Sequence, residues 1–343
     1  PRHYREVARM ILPGPVLGWI DSGEAALSDN PGAFERYRLL PRVLRDVSAV
    51  RTATTVLGRE VRTPIGIAPI GIQKALHPDG EAATARGAAA AGSIFIAPVN
   101  ATIPIGEITA AAPDGTVWLQ LYNWPDRDAL AEVIRAAEAA GVRAIVPLVN
   151  TPLPVSHTPA SVGFRLPAGV TLAHGAANHD LTAKNDWSYL EWMAGITSLP
   201  IVPKGILHGD DARRALDAGA RAVLVSNHGN RQVARAVAAI DALPGVVAAV
   251  AGRAEVYLDG GVRNGTDALI ALALGARAVF VARAVCWGLA CGGADGVARV
   301  LGSLTAELAE ETGMCGIPDV ALDRKSTRLN SSHVALSRMP SSA

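Results

Sequence analysis

The residues that could do chemistry fall in three short stretches. In VLVSNHGNRQ (223–232) an apolar, β-type run breaks abruptly into Ser226, Asn227, His228, Gly229, Asn230 and Arg231. His228 is the one side chain there with an ordinary pKa near neutrality, about 6.5, so it can take and return a proton. Arg231 can hold a carboxylate through two parallel hydrogen bonds. A base beside an anion anchor suits a small acid as substrate. Taken alone, the same residues also describe a turn in which serine and asparagine satisfy backbone groups and the histidine is incidental.

Two more apolar runs end in the same way. IVPKG (201–205) delivers Lys204, and EVYLDGGVRNG (255–265) delivers Asp259, Gly260, Gly261, Val262 and Arg263. Glycines let backbone N–H groups approach a phosphate, and an arginine supplies the opposite charge. Ligands of parallel α/β proteins collect at the carboxyl ends of the strands. Three successive strand ends carrying Lys, His/Arg and Asp-Gly-Gly-x-Arg are therefore expected to face one ligand.

Together, KGIL, GDDAR, VSNHGNRQ, LDGGVRNGTD and ALALGARAVF resemble the FMN-dependent α-hydroxy-acid oxidase and dehydrogenase family, over residues 4–317. The resemblance implies FMN as cofactor. It also implies oxidation of a 2-hydroxy acid of the lactate, glycolate or mandelate type to the 2-oxo acid, with O₂ or another carrier taking the electrons. Lys204 would lie beside the flavin N1–O2 edge, where a fixed cation stabilises the negative charge that builds on reduction. Gln120, in WLQLY, would bond to the ring and Tyr122 would bind substrate. Read without the resemblance, that pair equally fits an alternating strand with a core tyrosine. Ser226 would reach the ring, and the backbone of Pro69, Ile70 and Gly71 in APIG would face its N5 region. Asp259, Gly260, Gly261, Val262 and Arg263, with Ala282 and Arg283, resemble the phosphate and ribityl cradle. Ala282 stands where the family has glycine. His228 would take the hydroxyl proton as hydride leaves the α-carbon, or would first remove the α-proton; Arg231 would pair with the substrate carboxylate.

Several positions depart from the family pattern. Trp19 replaces a pocket tyrosine, keeping an aromatic wall but exchanging a hydroxyl for an indole N–H. Asn150, in VNTP, replaces the acid expected to orient the base, which should lower the pKa of His228 and weaken its imidazolium. His157 falls where a second carboxylate-binding arginine belongs, and Pro98 and Leu148 replace flavin-contacting hydroxyls. These changes predict retained FMN binding with altered acid recognition: a bulkier, differently anchored or non-carboxylate alcohol, or reduced activity. Protonated His157 could replace part of the lost arginine. The rivals are another flavin- or phosphate-binding barrel, such as an isomerase using reduced FMN, and a catalytically silent flavin-binding barrel.

Composition narrows the classes further. The 343 residues, half of them hydrophobic, suffice for one large core. A formal net charge of +1 leaves no electrostatic footprint for nucleic acid or an anionic membrane surface. Cys286, Cys291 and Cys315 form neither a CxxC pair nor a ligand spacing with histidine, so neither a disulfide framework nor a metal site is expected, and a reducing, cytoplasmic compartment is. No apolar run is long enough to span a membrane, and no signal peptide is seen. A homo-oligomer, tetrameric as the family commonly is, follows from the resemblance alone.

The elements that must position these residues read as a (β/α)₈ barrel. Runs apolar throughout, as strands buried on both faces must be, recur at 65–69, 94–97, 117–121, 144–149, 201–203, 222–225, 256–258 and 278–281. Helical patterns alternate with them at 80–91, 106–112, 127–140, 187–197, 210–218, 234–243, 266–274 and 297–311. A doubly wound open sheet is disfavoured because no GxGxxG follows the first strand. Residues 1–62 read as an N-terminal cap, with a helix over 4–11 and a two-stranded piece within VRTATTVLG, all within a single FMN-binding domain over 1–322. A long Pro- and Gly-rich loop, 151–186, follows the fourth strand and is expected to act as a lid. Residues 323–343 are basic, serine-rich and aperiodic, and resemble a translated sequencing adapter; they are set outside the fold as non-native. The natural chain is expected to extend before Pro1 and beyond Leu322.

Overall fold

The structure is a computed structural model that describes residues 2–21, 29–152, 164–174, 185–233 and 235–321, and the backbone of 335–338. The cap begins with α1 (Arg2–Ile11) and α2 (Gly14–Asp21), the second helix following directly on the Pro-Gly break expected to end the first. After α3 (Asn30–Phe34) and β1 (Tyr37–Leu40), the hairpin β2 (Thr54–Val56) and β3 (Arg59–Val61) pairs antiparallel.

Eight parallel strands follow: β4 (Ile65–Ile67), β5 (Ile94–Pro98), β6 (Thr116–Leu121), β7 (Ile145–Pro147), β8 (Lys204–Ile206), β9 (Ala222–Val225), β10 (Glu255–Asp259) and β11 (Ala278–Val281). Their order, β7-β6-β5-β4-β11-β10-β9-β8, wraps the sheet around. The bridges Ile145↔Ile201 and Leu148↔Lys204 close the remaining gap between β7 and β8. The outer helices are α4 (Gly80–Ala91), α5 (Ile105–Ala110), α6 (Arg127–Ala139), α7 (Ser188–Ile196), α8 (Gly209–Asp217), α9 (Ala239–Val250), α10 (Gly265–Ala273) and α11 (Arg283–Met314). Local sequence starts them: the side chains of Asp126 and Asn264 accept the N–H groups of Ala129 and Asp267 at 2.9 and 2.8 Å. A barrel is thus the observed architecture, and the open sheet is not.

The core has two layers. One lies between strands and helices. The other fills the barrel interior, where Trp118, Tyr257 and Phe280 meet with ring centroids 5.6–5.9 Å apart. Such aromatic pairs contribute about 0.5–1.5 kcal/mol each beyond burial. Phe280 can lie inward because Gly66 faces it; a Cβ there would come within 2.5 Å of the ring. Val56 and Val61 of the hairpin pack under this cluster, and Leu57 N–H donates to Glu255, which also accepts from the Tyr257 hydroxyl. The two-stranded piece, whose second strand lies just beyond the VRTATTVLG segment expected to hold both, therefore closes the amino-terminal end and leaves the carboxyl ends of the strands open.

Three elements differ from their sequence outline. The fifth strand, expected at 201–203, lies at Lys204–Ile206 after an isolated bridge from Ile201 to Ile145, with a register shift between Lys204 and Ile206. Pro203 has no N–H to give the ladder and Gly205 adopts φ +111°, so the strand bulges where Lys204 enters the site. Helix α9 starts at Ala239 instead of 234, because the preceding residues serve a loop whose Val237 carbonyl is held by Asn227. The last helix begins at Arg283, and Gly292 and Gly293, with non-helical backbone, divide it in two. At the other end, β12 (Ala335–Arg338) lies within the segment set outside the fold, yet its backbone pairs antiparallel with β1. β12 is the one strand partner of β1 among the described residues, and an unpaired strand accepts any extended segment that satisfies its amides.

Candidate active site

The carboxyl ends of the strands surround a cavity of about 240 Å³. Pro69, Ile70, Gly71, Gln120, Tyr122, Lys204, His228, Arg231, Asp259, Gly260, Gly261, Val262, Arg263, Ala282, Arg283 and Trp19 all line it. The three strand ends singled out by sequence thus meet at one place.

Ser226 does not line the cavity. It is fully buried, and its hydroxyl oxygen accepts from Lys204 Nζ at 2.8 Å and from the His228 N–H at 3.0 Å. Its place is beneath the cation and the base, holding both. Lys204 Nζ also meets Asp259 Oδ2 at 2.7 Å, with the two side chains only 5% and 8% exposed. A buried charge of this kind persists only when paired.

His228, Gly229 and Asn230 form a single turn with φ of 59°, 63° and 65°. Left-handed backbone costs a non-glycine residue about 1–2 kcal/mol, so something must hold it. Asn227 does: it accepts the Asn230 N–H and exchanges two hydrogen bonds with Asn30 of the cap. The turn places the His228 ring and the Arg231 fork on the same cavity wall. Burial first, then the positive charges of Lys204 and Arg231, hold the His228 imidazole well below its ordinary range. At neutral pH the ring is therefore a neutral base.

Arg231 Nη1 donates to the Trp19 carbonyl at 2.9 Å, and its guanidinium lies 6.0 Å from the Trp19 ring centre. Burial lowers its pKa, an effect opposed by Tyr122 and Cys286. The Tyr122 hydroxyl is pushed up by burial and drawn back by Arg231, so it stays a neutral phenol. Trp19 stacks on Phe164 at 5.3 Å and 18° between planes, forming a flat aromatic wall. Phe164, in the loop after β7, carried no sequence signal.

Pro98 and Leu148 line the cavity as apolar surface. Asn150 does not line it: its side chain rests against Gly205, its Oδ1 is buried without a hydrogen-bond partner among the described residues, and it makes no hydrogen bond to His228. His157 lies outside the described residues, as does most of the long loop. Sequence reasoning missed the cavity residues Asn100 and Cys286 and the role of Asn30.

The cavity fits FMN on three counts. Gln120 Nε2 and Asp259 Oδ1 are buried polar atoms without a partner among the described residues, as expected of groups that await a polar heterocycle and its side chain. Gly260 and Gly261 take φ of +98° and +93°, turning backbone toward the cavity, and a Cβ on Gly261 would overlap the Asn30 carbonyl. Arg263 and Arg283 offer two guanidinium groups for a phosphate.

Known proteins share this sequence and this fold. Human 2-hydroxyacid oxidase 2 is 43% identical over 304 residues, covering 85% of this chain and 86% of that one. The 4-hydroxymandelate oxidase of Amycolatopsis orientalis is 40% identical over 339 residues, covering 93% and 94%. A crystal structure of mandelate oxidase with (S)-4-hydroxymandelic acid superposes with a TM-score of 0.90 at 38% identity, covering 98% of both chains. A mandelate oxidase variant with a C4a-OH-FMN adduct gives the same TM-score, covering 98% of this chain and 99% of that one. The family described as FMN-dependent dehydrogenase matches residues 8–329, and this chain belongs to it.

Proposed function

We propose that this chain is an FMN-dependent oxidoreductase that converts a 2-hydroxy acid to the 2-oxo acid. The observation that carries the reading is the left-handed turn placing His228 and Arg231 on one wall of the cavity that Lys204 also lines. FMN, when bound, supplies the two-electron acceptor for the substrate's α-carbon. The chain supplies the rest. Arg231, held by the Trp19 carbonyl, takes the carboxylate and fixes which face of the substrate is presented. His228, kept neutral by burial and two cations, accepts the hydroxyl proton as the C–H bond breaks with its electron pair and the carbonyl forms. Lys204, itself fixed by Ser226 and Asp259, would offer a cation to stabilise the negative charge that the cofactor gains on reduction. Tyr122 offers a neutral phenol to the substrate.

Mixing the FMN-loaded protein anaerobically with a panel of 2-hydroxy acids tests the reading. Bleaching of the visible flavin bands by at least one acid is expected, and no bleaching by any of them overturns it. The Trp19–Phe164 wall favours a second, finer reading, in which a bulky or aromatic side chain is preferred to the methyl group of lactate. O₂ or another carrier would then take the electrons, which oxygen consumption during turnover reads out. The free thiols Cys286, Cys291 and Cys315 support a cytoplasmic setting, and the exposed run Leu40, Val43 and Leu44 supports a homo-oligomer, tetrameric by family likeness, which light scattering checks.

A further inference from the structure

His228 can act as a base only through a ring nitrogen that carries no proton and faces the substrate. The other nitrogen decides which tautomer that is. Its backbone is already fixed, with its N–H on Ser226 and its carbonyl accepting from Arg231. The ring itself has one polar contact among the described residues: Nδ1 lies 3.3 Å from Nε2 of Gln232, an amide whose nitrogen and oxygen exchange places by a half-turn. Two cations act on the imidazole, Lys204 on β8 and Arg231 on its own turn, and the Tyr122 phenol after β6 and the Cys286 thiol line the same cavity. None is a carboxylate. Asp259, the one acid lining the cavity among the described residues, is committed to Lys204, and Asn150 makes no bond to the ring.

The contact is chemically decisive because an amide has two unlike ends. If the amide N–H faces Nδ1, the ring must carry its proton on Nε2 and can only donate to the substrate. If the amide is turned by 180°, Oε1 accepts from Nδ1–H and Nε2 keeps the lone pair. An N–H···O=C bond of this kind orients a histidine as a carboxylate would, without adding charge that would raise its proton affinity. The spacing explains the strained turn as well. Gln232 is four residues beyond His228, and the left-handed run His228, Gly229, Asn230 folds the chain back so that the two side chains meet.

We propose that Gln232, with its amide turned so that Oε1 meets Nδ1, is the positioning residue that selects the base-competent, Nδ1-protonated tautomer of His228. The inference rests on the reading of His228 as the base, but its primary test does not need turnover. In the FMN-loaded protein with ¹⁵N-labelled histidine, the His228 ring, assigned by comparison with His228→Gln, is expected to show a protonated Nδ1 and an unprotonated Nε2. In Gln232→Met the two tautomers should mix. A wild-type ring protonated on Nε2, or a tautomer unchanged in Gln232→Met, overturns the proposal whether or not any hydroxy acid is oxidised. Rapid anaerobic mixing supplies the second readout. Gln232→Met should slow flavin reduction on the order of 10–100-fold with little change in substrate affinity. Gln232→Glu should keep most of the rate while moving the acid limb of its pH profile upward by on the order of one unit. Equal rates and superimposable profiles in all three proteins would sink the assignment.

Discussion

Asn30 and Asn227 face each other across the boundary between cap and barrel, each side-chain amide donating to the other, at 2.7 and 2.9 Å. Both are buried, and Asn30 Oδ1 also accepts the N–H of Ala239, the first residue of α9. Through this pair the cap is tied to the residue before His228, while the Asn30 amide and carbonyl lie against Gly260 and Gly261. The turn that carries the base and the glycines of the cofactor cradle therefore share one fastening. Asn30→Ala leaves Asn227 and Ala239 with unmet polar groups, a loss of about 1–3 kcal/mol for each buried group. Asn30→Asp sets an oxygen against Asn227 Oδ1, which cannot turn away without releasing the Asn230 N–H. Both variants are expected to lower Tm and to weaken FMN retention together, as measured by thermal unfolding and by flavin fluorescence after dialysis. Lowered Tm with FMN affinity unchanged would show that the pair serves stability alone.

Lys204 and Asp259 allow the roles of charge and structure to be separated. Removing one member of a buried ion pair strands the other, at a cost of about 3–5 kcal/mol. Lys204→Met should lose that much stability and also slow flavin reduction. Lys204→Met combined with Asp259→Asn should recover most of the stability, because no unpaired charge remains, yet not the rate. Chemical denaturation and single-turnover reduction measure the two quantities, and recovery of both would deny Lys204 a part in the redox step.

Much of this was legible in the chain. The strands stand out because a strand buried on both faces must be apolar throughout, and their ends stand out because Lys204, His228, Arg231 and Asp259 interrupt those runs so abruptly. What stayed hidden depends on distance or backbone hand. Asn30 and Asn227 are 197 positions apart, and no local pattern joins them. The bulge at Lys204 and Gly205 and the left-handed turn at His228 are conformations, not compositions, so the support that Ser226 gives to both does not show in the sequence. Gln232 looks like one more polar residue until the turn brings it back to the ring. Neither Phe164 nor Asn100 belongs to a motif quoted above, and only the closed barrel brings both to the site.

Arg231 is predicted to discriminate by the charge of its ligand. Arg231→Met should cost on the order of 2–4 kcal/mol in kcat/KM for a 2-hydroxy acid, because a carboxylate entering a desolvated site loses its counter-ion. Arg231→Lys should recover only part, since an ammonium cannot give the two-pronged contact while also holding the Trp19 carbonyl. The methyl ester of the same acid is the control. Its turnover should fall far less in Arg231→Met, and an equal fall for acid and ester would mean that Arg231 acts only by supporting the cap.

Protonation of His228 should be visible both in turnover and in stability. Burial, Lys204 and Arg231 hold the folded-state pKa below the ordinary value of about 6.5 that the unfolded chain retains. In the window from about 6.5 down to the folded value, the unfolded chain binds the extra proton, so folding stability falls as pH falls through it. Above that window the term vanishes. His228→Gln removes it, and the fall in Tm between about pH 7 and pH 5 should be smaller in the variant than in the parent. The same depressed pKa puts the acid limb of kcat/KM below 6.5 and leaves the base fully available at neutrality, with His228→Gln losing about 10²–10⁴ in rate. An acid limb centred above 6.5, paired with identical Tm slopes for the two proteins, would require a carboxylate partner for His228 that the described residues do not provide.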